Sequence, residues 1–278
     1  MKKFIAAFDG LKFSESTAMY ATYLASHSNA HLTGVFLDDY TNHSYKIYEL
    51  VSDTASIEEQ RETLDEQDMK TRQQAADKFQ QYCQEAEIGY NLHRDRNFAI
   101  QEVLHESIYA DLLFIDGKET FMTWEENQPT KFIRVLLANA ECPVFLAPPQ
   151  YTALKKLVIL YDGEPSSVHA VRTASCLFPS LSSLPTEVVT VKTGSKDLLI
   201  PDKRLMMEFM ERHYPEATYK LLTGLPESVI VDHLKKEGPG TMVVLGAYKR
   251  GMVSRWFRAS MADVLMEHLH LPLFIAHS

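Results

Sequence analysis

The chain has 278 residues, a formal net charge of −9 and a hydrophobic fraction of 45%, which predicts two domains that can each bury a core. The acidic balance argues against a nucleic-acid partner, because phosphate backbones are bound by clustered Lys and Arg. No apolar run approaches the roughly 20 residues of a membrane helix, and Asp9 interrupts the apolar stretch near the N-terminus, so we expect neither a membrane partner nor a signal peptide.

Two short apolar runs end in Asp-Gly, and a helical pattern follows each of them. Residues 4–10 have the sequence FIAAFDG and residues 157–163 have the sequence LVILYDG. The helical patterns cover residues 14–27 and 166–177. Strand, turn and helix therefore occur twice, which predicts that the chain is an internal repeat.

The second strand of each unit is predicted at residues 32–36 and 187–191. Comparison of the two units places extra residues in the first one, within residues 38–87. A run rich in Glu, Gln, Lys and Ala from Ser56 to Cys83 predicts one long amphipathic helix there. We interpret it as a solvated helix, with a dedicated binding element as the alternative.

Three further strands pair in the same order: 89–95 with 218–224, 112–116 with 242–246, and 142–148 with 271–277. Prolines end the first unit, so we predict one domain over residues 1–148 and a second over residues 154–278. Strands that alternate with helices are typical of right-handed βαβ units. The predicted fold class is therefore α/β, with two tandem, doubly wound, parallel five-stranded sheets and helices on both faces.

Small molecules bind such sheets outside the carboxyl ends of the strands, where the strand order reverses. The pairs Asp9-Gly10 and Asp162-Gly163 are expected at this edge. A carboxylate there can accept hydrogen bonds from a base or a ribose. A turn that caps the next helix explains the Asp-Gly pairs equally well, so both interpretations stay open.

The segment after the fourth strand of the second unit, residues 246–260, carries a resemblance to a known family. It has Gly246 at one end, Ser260 at the other and a basic stretch between them. In this respect it resembles the universal stress proteins that bind ATP, which have the pattern G-x2-G-x9-G-[ST] here. Lys249 and Ala259 stand where that pattern has its other two glycines, and Lys249 adds a side chain where close approach of a phosphate favours none.

The resemblance covers nearly the whole chain, twice, and implies an adenine-nucleotide alpha hydrolase-like fold. It implies a cytoplasmic stress-response protein without strong catalysis that binds ATP, together with Mg²⁺, in its second unit. Members of the family form dimers, so it further implies that the two units pair within one chain, with a homodimer as an additional option. The residues implied to hold the nucleotide are Asp162, Gly163, Val189, Gly246, Lys249, Arg250, Ala259 and Ser260.

The first unit departs further from the family pattern. Asp116 stands where the second unit has Gly246, and Thr130 and Lys131 stand where it has Ala259 and Ser260. Three acidic residues lie between them, Glu119, Glu125 and Glu126, and their charges would repel a triphosphate. We therefore expect a structural or regulatory copy that has lost the phosphate loop.

Other chemistry finds little support in the sequence. Phosphate-loop, nucleophile-elbow and zinc-protease motifs are absent, so we predict no catalytic residues, although slow ATP hydrolysis stays open. We predict no metal site from His268 and His270, which lie on different faces of a helix end, or from Asp162 with Asp197 or Asp202. The three cysteines form no CxxC pair, which favours a reducing compartment.

Two observations keep a second class of function open. Lys249, Asp116 and Lys131 break the family pattern, which fits a scaffold or a module that binds a protein or a non-nucleotide small molecule. In addition, residues 205–214 are rich in Met and aromatic side chains. Core packing is the simpler interpretation of this segment, and a compliant ligand surface is the alternative.

Overall fold

The structure is a computed structural model that describes residues 1–37, 44, 57–95, 98–122, 124–193, 199–246 and 261–276, with the backbone alone at 57–60 and 95. Its first half contains β1 (Lys2–Phe8), α1 (Glu15–Ser28), β2 (Ala30–Leu37), α2 (Ile57–Glu85), β3 (Tyr90–Asp95), α3 (Ala99–Ser107), β4 (Leu112–Asp116), α4 (Lys131–Asn139) and β5 (Val144–Ala147). Its second half contains β6 (Lys156–Leu160), α5 (Pro165–Leu177), β7 (Thr186–Lys192), α6 (Lys203–His213), β8 (Thr218–Thr223), α7 (Pro226–Leu234), β9 (Thr241–Gly246), α8 (Met261–His268) and β10 (Leu273–Ala276).

The strands confirm the predicted doubly wound topology in both halves. The sheet order is β3-β2-β1-β4-β5-β10-β9-β6-β7-β8, and the strands within each half are parallel. The two halves meet where β5 pairs antiparallel with β10, with Phe145 opposite Phe274. They therefore form one sheet of ten strands, and this pairing joins the sheets of the two repeats.

Helices cover both faces of the sheet, and each face has its own core. One core contains side chains of α1, α2, α5 and α6, and the other contains side chains of α3, α4, α7 and α8. Alternate strand residues divide between them, so that Phe4 packs in the first core and Ile5 in the second. Both cores contain residues from both halves, so apolar packing crosses the β5–β10 junction.

The segment between β2 and β3 confirms the predicted long helix. α2 has 29 residues, whereas α6, which follows the second strand of the other half, has 11. Its apolar side chains on one face, among them Phe79, are buried in the first core, while most of the other side chains are exposed. Most of the extra length of the first half therefore lies in this helix. Among the helices described, none has the length and apolar character needed to cross a membrane.

Candidate functional site

The strand order reverses between β1 and β4 in the first half and between β6 and β9 in the second. In open α/β sheets this reversal marks the ligand edge, outside the carboxyl ends of the strands. Asp162 lies just beyond β6, and Gly246 is the last residue of β9. Because Ile159 of β6 is opposite Val244 of β9, the two strands deliver Asp162 and Gly246 to the same edge.

Asp9 and Asp162 make the same local turn in the two halves. Oδ1 of Asp9 accepts a hydrogen bond of 2.8 Å from the N–H of Leu11, and Oδ1 of Asp162 accepts one of 2.9 Å from the N–H of Glu164. These Asx turns brace the backbone after the strand. They do not cap the next helix, since Ser14 caps α1 and no side chain caps α5. Asp162 is exposed, so its carboxylate is accessible to a ligand.

Gly163 is required by the backbone of this turn. Its φ is +90°, and a Cβ added there would lie 2.6 Å from Cβ of Pro201. The Tyr161 hydroxyl donates a hydrogen bond of 3.1 Å to the carbonyl oxygen of Pro201 and holds the two segments together. Both the left-handed conformation and the close packing therefore favour glycine.

Gly246 has a packing role that the sequence did not reveal. A Cβ at this position would lie 2.4 Å from the backbone carbonyl carbon and oxygen of Ser166, in the first turn of α5. The bare backbone lets the start of α5 pack against the end of β9. In the first half, where Asp116 holds this position, the connection from β1 to α1 is longer. Close helix packing therefore requires this glycine whether or not a phosphate approaches it.

Val189, the second-strand residue of the predicted site, lies in the sheet interior. It is 1% exposed and packs in the core under α7 and α8. Its carbonyl oxygen accepts a hydrogen bond of 2.9 Å from the N–H of Tyr161. The side chain of Val189 therefore does not face the ligand edge in this structure.

Lys249, Arg250, Ala259 and Ser260 lie outside the described residues, so their part in the site stays a prediction. Residues 247–260 connect β9 to α8, and residues 117–130 connect β4 to α4, with equal length. Thr130 directly precedes α4. The pairing of Thr130 and Lys131 with Ala259 and Ser260 stays a prediction.

The corresponding loop of the first half is folded around Thr130 and Glu119. Oγ1 of Thr130 caps α4 by accepting a hydrogen bond of 3.1 Å from the N–H of Ile133, and it donates one of 2.6 Å to the carbonyl oxygen of Glu119. Oε1 of Glu119 accepts hydrogen bonds from the N–H groups of Thr120 and Phe121, at 2.9 and 2.8 Å. The loop thus has a hydroxyl cap at its helix, but its interior is organised by a carboxylate.

Acidic side chains dominate the pocket that this loop forms. It encloses about 380 Å³, and its charged lining comprises Lys12, Asp116, Lys118, Glu119, Glu125, Glu126 and Glu267. Burial raises the pKa of Glu119 to about 7, and the carboxylate of Asp9 adds to the effect. Five of these side chains are carboxylates and two are lysines, so the lining is unfavourable for a triphosphate. This agrees with the predicted loss of phosphate binding in the first half.

A second cluster of ionisable groups lies at the opposite, amino end of the strands. The buried imidazole of His233 has Nε2 2.7 Å from Oε2 of Glu187, and Nζ of Lys156 lies 2.9 Å from Oε2 of Glu237 and 3.6 Å from Oε2 of Glu187. Glu187, His233 and Glu237 are close enough to hold a metal ion. Lys156, however, already supplies a cation to both carboxylates, which makes the cluster an ion-pair network.

The first half has a related cluster. Nδ1 of His93 lies 2.5 Å from Oε1 of Glu106, and Nζ of Lys3 lies 3.5 Å from Oε2 of the same carboxylate. Lys3 and Lys156 hold the same place in the repeat, near the start of the first strand. The histidine is on a strand in the first half and on a helix in the second, so alignment of the sequences alone does not reveal the correspondence.

The other metal candidates gain no support. Within the described part of the chain, His268, His270, Asp162 and Asp202 belong to no group of three close metal-binding side chains. Asp197 lies outside the described residues. These observations leave the edge between β6 and β9 as the candidate ligand site that the sequence predicted.

Several solved structures have the same architecture as this chain. A universal stress protein from Archaeoglobus fulgidus DSM 4304 superimposes with a TM-score of 0.71 at 12% identity, over 99% of this chain and 98% of its own. The chain has the fold of the universal stress proteins. A protein of unknown function from Pseudomonas aeruginosa PAO1 superimposes with a TM-score of 0.61 at 12% identity, over 100% of this chain and 92% of its own. Neither a protein-family model nor a curated protein sequence matches the chain.

The shared fold covers both halves, since the superposition with the archaeal protein spans nearly the full length of both chains. At this level of identity the likeness concerns the fold alone. Within it, the described residues that the structure brings to the predicted edge are an exposed carboxylate, Asp162, a glycine with positive φ, Gly163, and a close-packed glycine, Gly246.

Proposed function

We propose that this chain is a cytoplasmic stress-response protein that binds an adenine nucleotide, with Mg²⁺, in its second half and has no strong catalytic activity. Asp162 and the backbone at Gly163 would contact the base and ribose. The loop after Gly246, with Lys249, Arg250, Ala259 and Ser260, would hold the phosphates. The first half would be the structural partner, paired with the second through β5 and β10.

The observation that carries the proposal is the contrast in charge between two equivalent loops. Residues 117–130 contain Glu119, Glu125 and Glu126, with Lys118 as the only basic residue. Residues 247–260 contain Lys249, Arg250, Arg255 and Arg258 and have no acidic residue. Both loops start at the carboxyl end of a strand beside the reversal of strand order. The second loop also leads into α8, and helix N-termini favour anions.

We propose that strong catalysis is absent because the carboxyl group with a strongly raised pKa lies outside the proposed nucleotide site. Perturbed pKa values concentrate at catalytic sites. Among the described carboxyl groups, the one with a pKa raised to about 7 is Glu119, which belongs to the first half. A binding role therefore fits the second half better than hydrolysis.

Calorimetry of the full chain with ATP and Mg²⁺ tests the proposal. We expect saturable binding of one nucleotide per chain and no turnover above background. Ser260→Asp should abolish binding by placing a carboxylate at the phosphate position, and Lys131→Asp, at an exposed site, is the matched control at the corresponding place in the first half. Acidic residues are favourable near the start of a helix, so both variants should keep their helices. If the intact protein gives no heat with ATP, the proposal is wrong.

The second candidate, a module that binds a non-nucleotide small molecule, is favoured by a different feature. A cleft of about 600 Å³ opens beside Gly163 on the face of the sheet that carries α5 and α6. Mass spectrometry of ligands that co-purify with the protein would separate a nucleotide from a different occupant.

A further inference from the structure

The cleft lies between helices α5 and α6 and is closed at one end by the turn after β6. Its volume of about 600 Å³ falls within the range of roughly 300–1,000 Å³ that is typical of small-molecule sites. Asp162, Val189 and Gly246 are not among its lining residues. Gly163 belongs to its lining, so the cleft adjoins the edge where the nucleotide is proposed to bind and shares none of the edge's other described residues.

The floor and one wall of the cleft are apolar. Tyr161 and Met206 are buried at the floor, and Val168 and Phe209 are half-buried beside them. Leu205 forms part of the wall, although 56% of its surface is exposed. The methionine-rich segment thus contributes to both the core and the cleft. Met206 and Met210 are in the core, whereas Leu205 faces the open cleft. An apolar body in the cleft would cover this surface.

The first half fills the corresponding space with its own side chains. Phe8 takes the place of Tyr161 in the repeat, and its ring centroid lies 5.0 Å from that of Phe13 and 5.4 Å from that of Phe79. Phe13 belongs to the longer turn before α1, and the shorter turn before α5 has no counterpart to it. The second half therefore lacks the aromatic packing that Phe13 and Phe79 provide in the first half. The open cleft is thus a specific difference between the two copies of the repeat.

Basic side chains stand at one end of the cleft. His169 and Arg172 lie three residues apart on α5 and both line it, and the Arg172 guanidinium is 5.9 Å from the centroid of the Phe209 ring. Within the part of the chain that the structure describes, no carboxylate forms an ion pair with Arg172. Asp202 also lines the cleft, and its charge helps to raise the pKa of Tyr161, after burial. The lining therefore separates a basic end on α5 from an acidic residue before α6.

We propose that this cleft binds an amphipathic organic anion, with its apolar body against Met206, Leu205 and Phe209 and its acidic group at Arg172. An arginine fork suits a carboxylate or sulfonate, because it can donate two parallel hydrogen bonds. Asp202 repels an anion from the other end and so fixes the orientation of the ligand. This site is additional to the proposed nucleotide site and does not depend on it.

Two fluorescent probes with the same kind of aromatic body test the proposal on the full chain. Anilinonaphthalene sulfonate carries a negative charge, and phenylnaphthylamine is its uncharged analogue. We expect the wild-type protein to bind both saturably. Arg172→Gln should weaken binding of the sulfonate roughly tenfold and leave the uncharged probe within about twofold, as expected for loss of a charge-assisted hydrogen bond.

Leu205→Glu should weaken both probes, because it puts a charge in the apolar wall. Leu225→Glu is the matched control, since this leucine is 71% exposed and lies outside the cleft, and it should change neither. Circular dichroism of each variant verifies that the fold is kept. The proposal is overturned if the wild-type protein does not bind the sulfonate, if Leu205→Glu behaves like Leu225→Glu, or if ATP with Mg²⁺ displaces the sulfonate competitively.

Discussion

The Tyr20 hydroxyl donates a hydrogen bond of 2.9 Å to the carbonyl oxygen of Thr152, and it accepts one of 3.1 Å from the N–H of the same residue. Tyr20 is a buried residue of α1, whereas Thr152 belongs to the segment between β5 and β6. One phenol therefore satisfies both backbone groups of a residue that joins the two halves. The connection between the repeats is thus held by the first core as well as by the chain.

Tyr20→Phe should destabilise the protein by about 1–3 kcal/mol, because it leaves the N–H and carbonyl of Thr152 without their partner. The ring is kept, so its packing at 5.2 Å from the ring of Phe145 is retained. Urea unfolding measures the change. Tyr109→Phe is the control, since that tyrosine is exposed, and it should have little effect. Equal midpoints for the two variants would contradict the role given to Tyr20.

The two halves should unfold together. Phe178 of the second half lies with its ring centroid 6.2 Å from that of Phe4 and 5.6 Å from that of Phe274, and both cores span the junction. Single-tryptophan variants, with Trp124 or Trp256 retained, should therefore give coincident urea transitions. The proposed domains, 1–148 and 154–278, should not be stable monomers when expressed separately. Two separated transitions, or a stable monomeric half, would contradict this prediction.

Gly246→Ala should destabilise the protein by about 1–3 kcal/mol, because the added Cβ meets the α5 backbone at Ser166. Gly238→Ala is the matched control, since a Cβ there has no atom within 4 Å. Thermal unfolding of both variants measures the difference. If Gly246→Ala is as stable as Gly238→Ala, the glycine is not required by packing, and the phosphate approach becomes its main explanation.

The strands and helices could be predicted from local patterns, because most strands are short apolar runs and the Asp-Gly turns repeat. Apolar runs also placed the buried strands that pair at the junction. The pairing of β5 with β10 was not predictable from them, because it depends on which edges of two complete sheets come together. Similarly, the role predicted for Gly246 was based on the loop that follows it. Its close packing against Ser166 could not be predicted, because Ser166 is distant in the sequence.

The remaining features were missed because they are made by residues far apart in the chain. Three different elements contribute Lys156, Glu187 and His233 to the ion-pair network. In the related cluster of the first half the histidine is on the strand and the glutamate on the helix, which is the reverse arrangement and conceals the similarity. Glu119 could be recognised as an unfavourable charge near phosphate, but its burial depends on the fold of the loop. The cleft is defined by what the second half lacks, and only comparison with Phe13 and Phe79 reveals it.

Glu119 should make the protein less stable as the pH rises. Its pKa is raised from 4.5 to about 7 in the folded state, chiefly by burial, so the folded protein binds the proton more tightly than the unfolded chain. The cost of ionising it appears between about pH 4.5 and 7 and is fully present above that range. Glu119→Gln should therefore stabilise the protein at about pH 8, by of order 3 kcal/mol, and much less at about pH 5.

The amide oxygen of the Glu119→Gln variant can still accept the hydrogen bonds from Thr120 and Phe121. Chemical denaturation at the two pH values measures the difference, and Glu125→Gln, at an exposed position in the same pocket, is the control. A Gln variant that is no more stable than the wild type at about pH 8 would contradict the burial of an ionised carboxylate.

Glu187 should have the opposite pH dependence. Burial acts to raise the pKa of its carboxyl, but the hydrogen bond from His233 and the charges of Lys156 and Lys220 outweigh burial, so the pKa lies below 4.5. The stabilisation is present above the unfolded pKa and is lost as the pH falls through the folded value. Glu187→Gln should therefore destabilise the protein at neutral pH, by of order 1 kcal/mol, and the difference should shrink below about pH 4. Glu211→Gln, at an exposed site on α6, is the matched control, and a Glu187→Gln effect independent of pH would show that the network stabilises the fold by packing and not by charge.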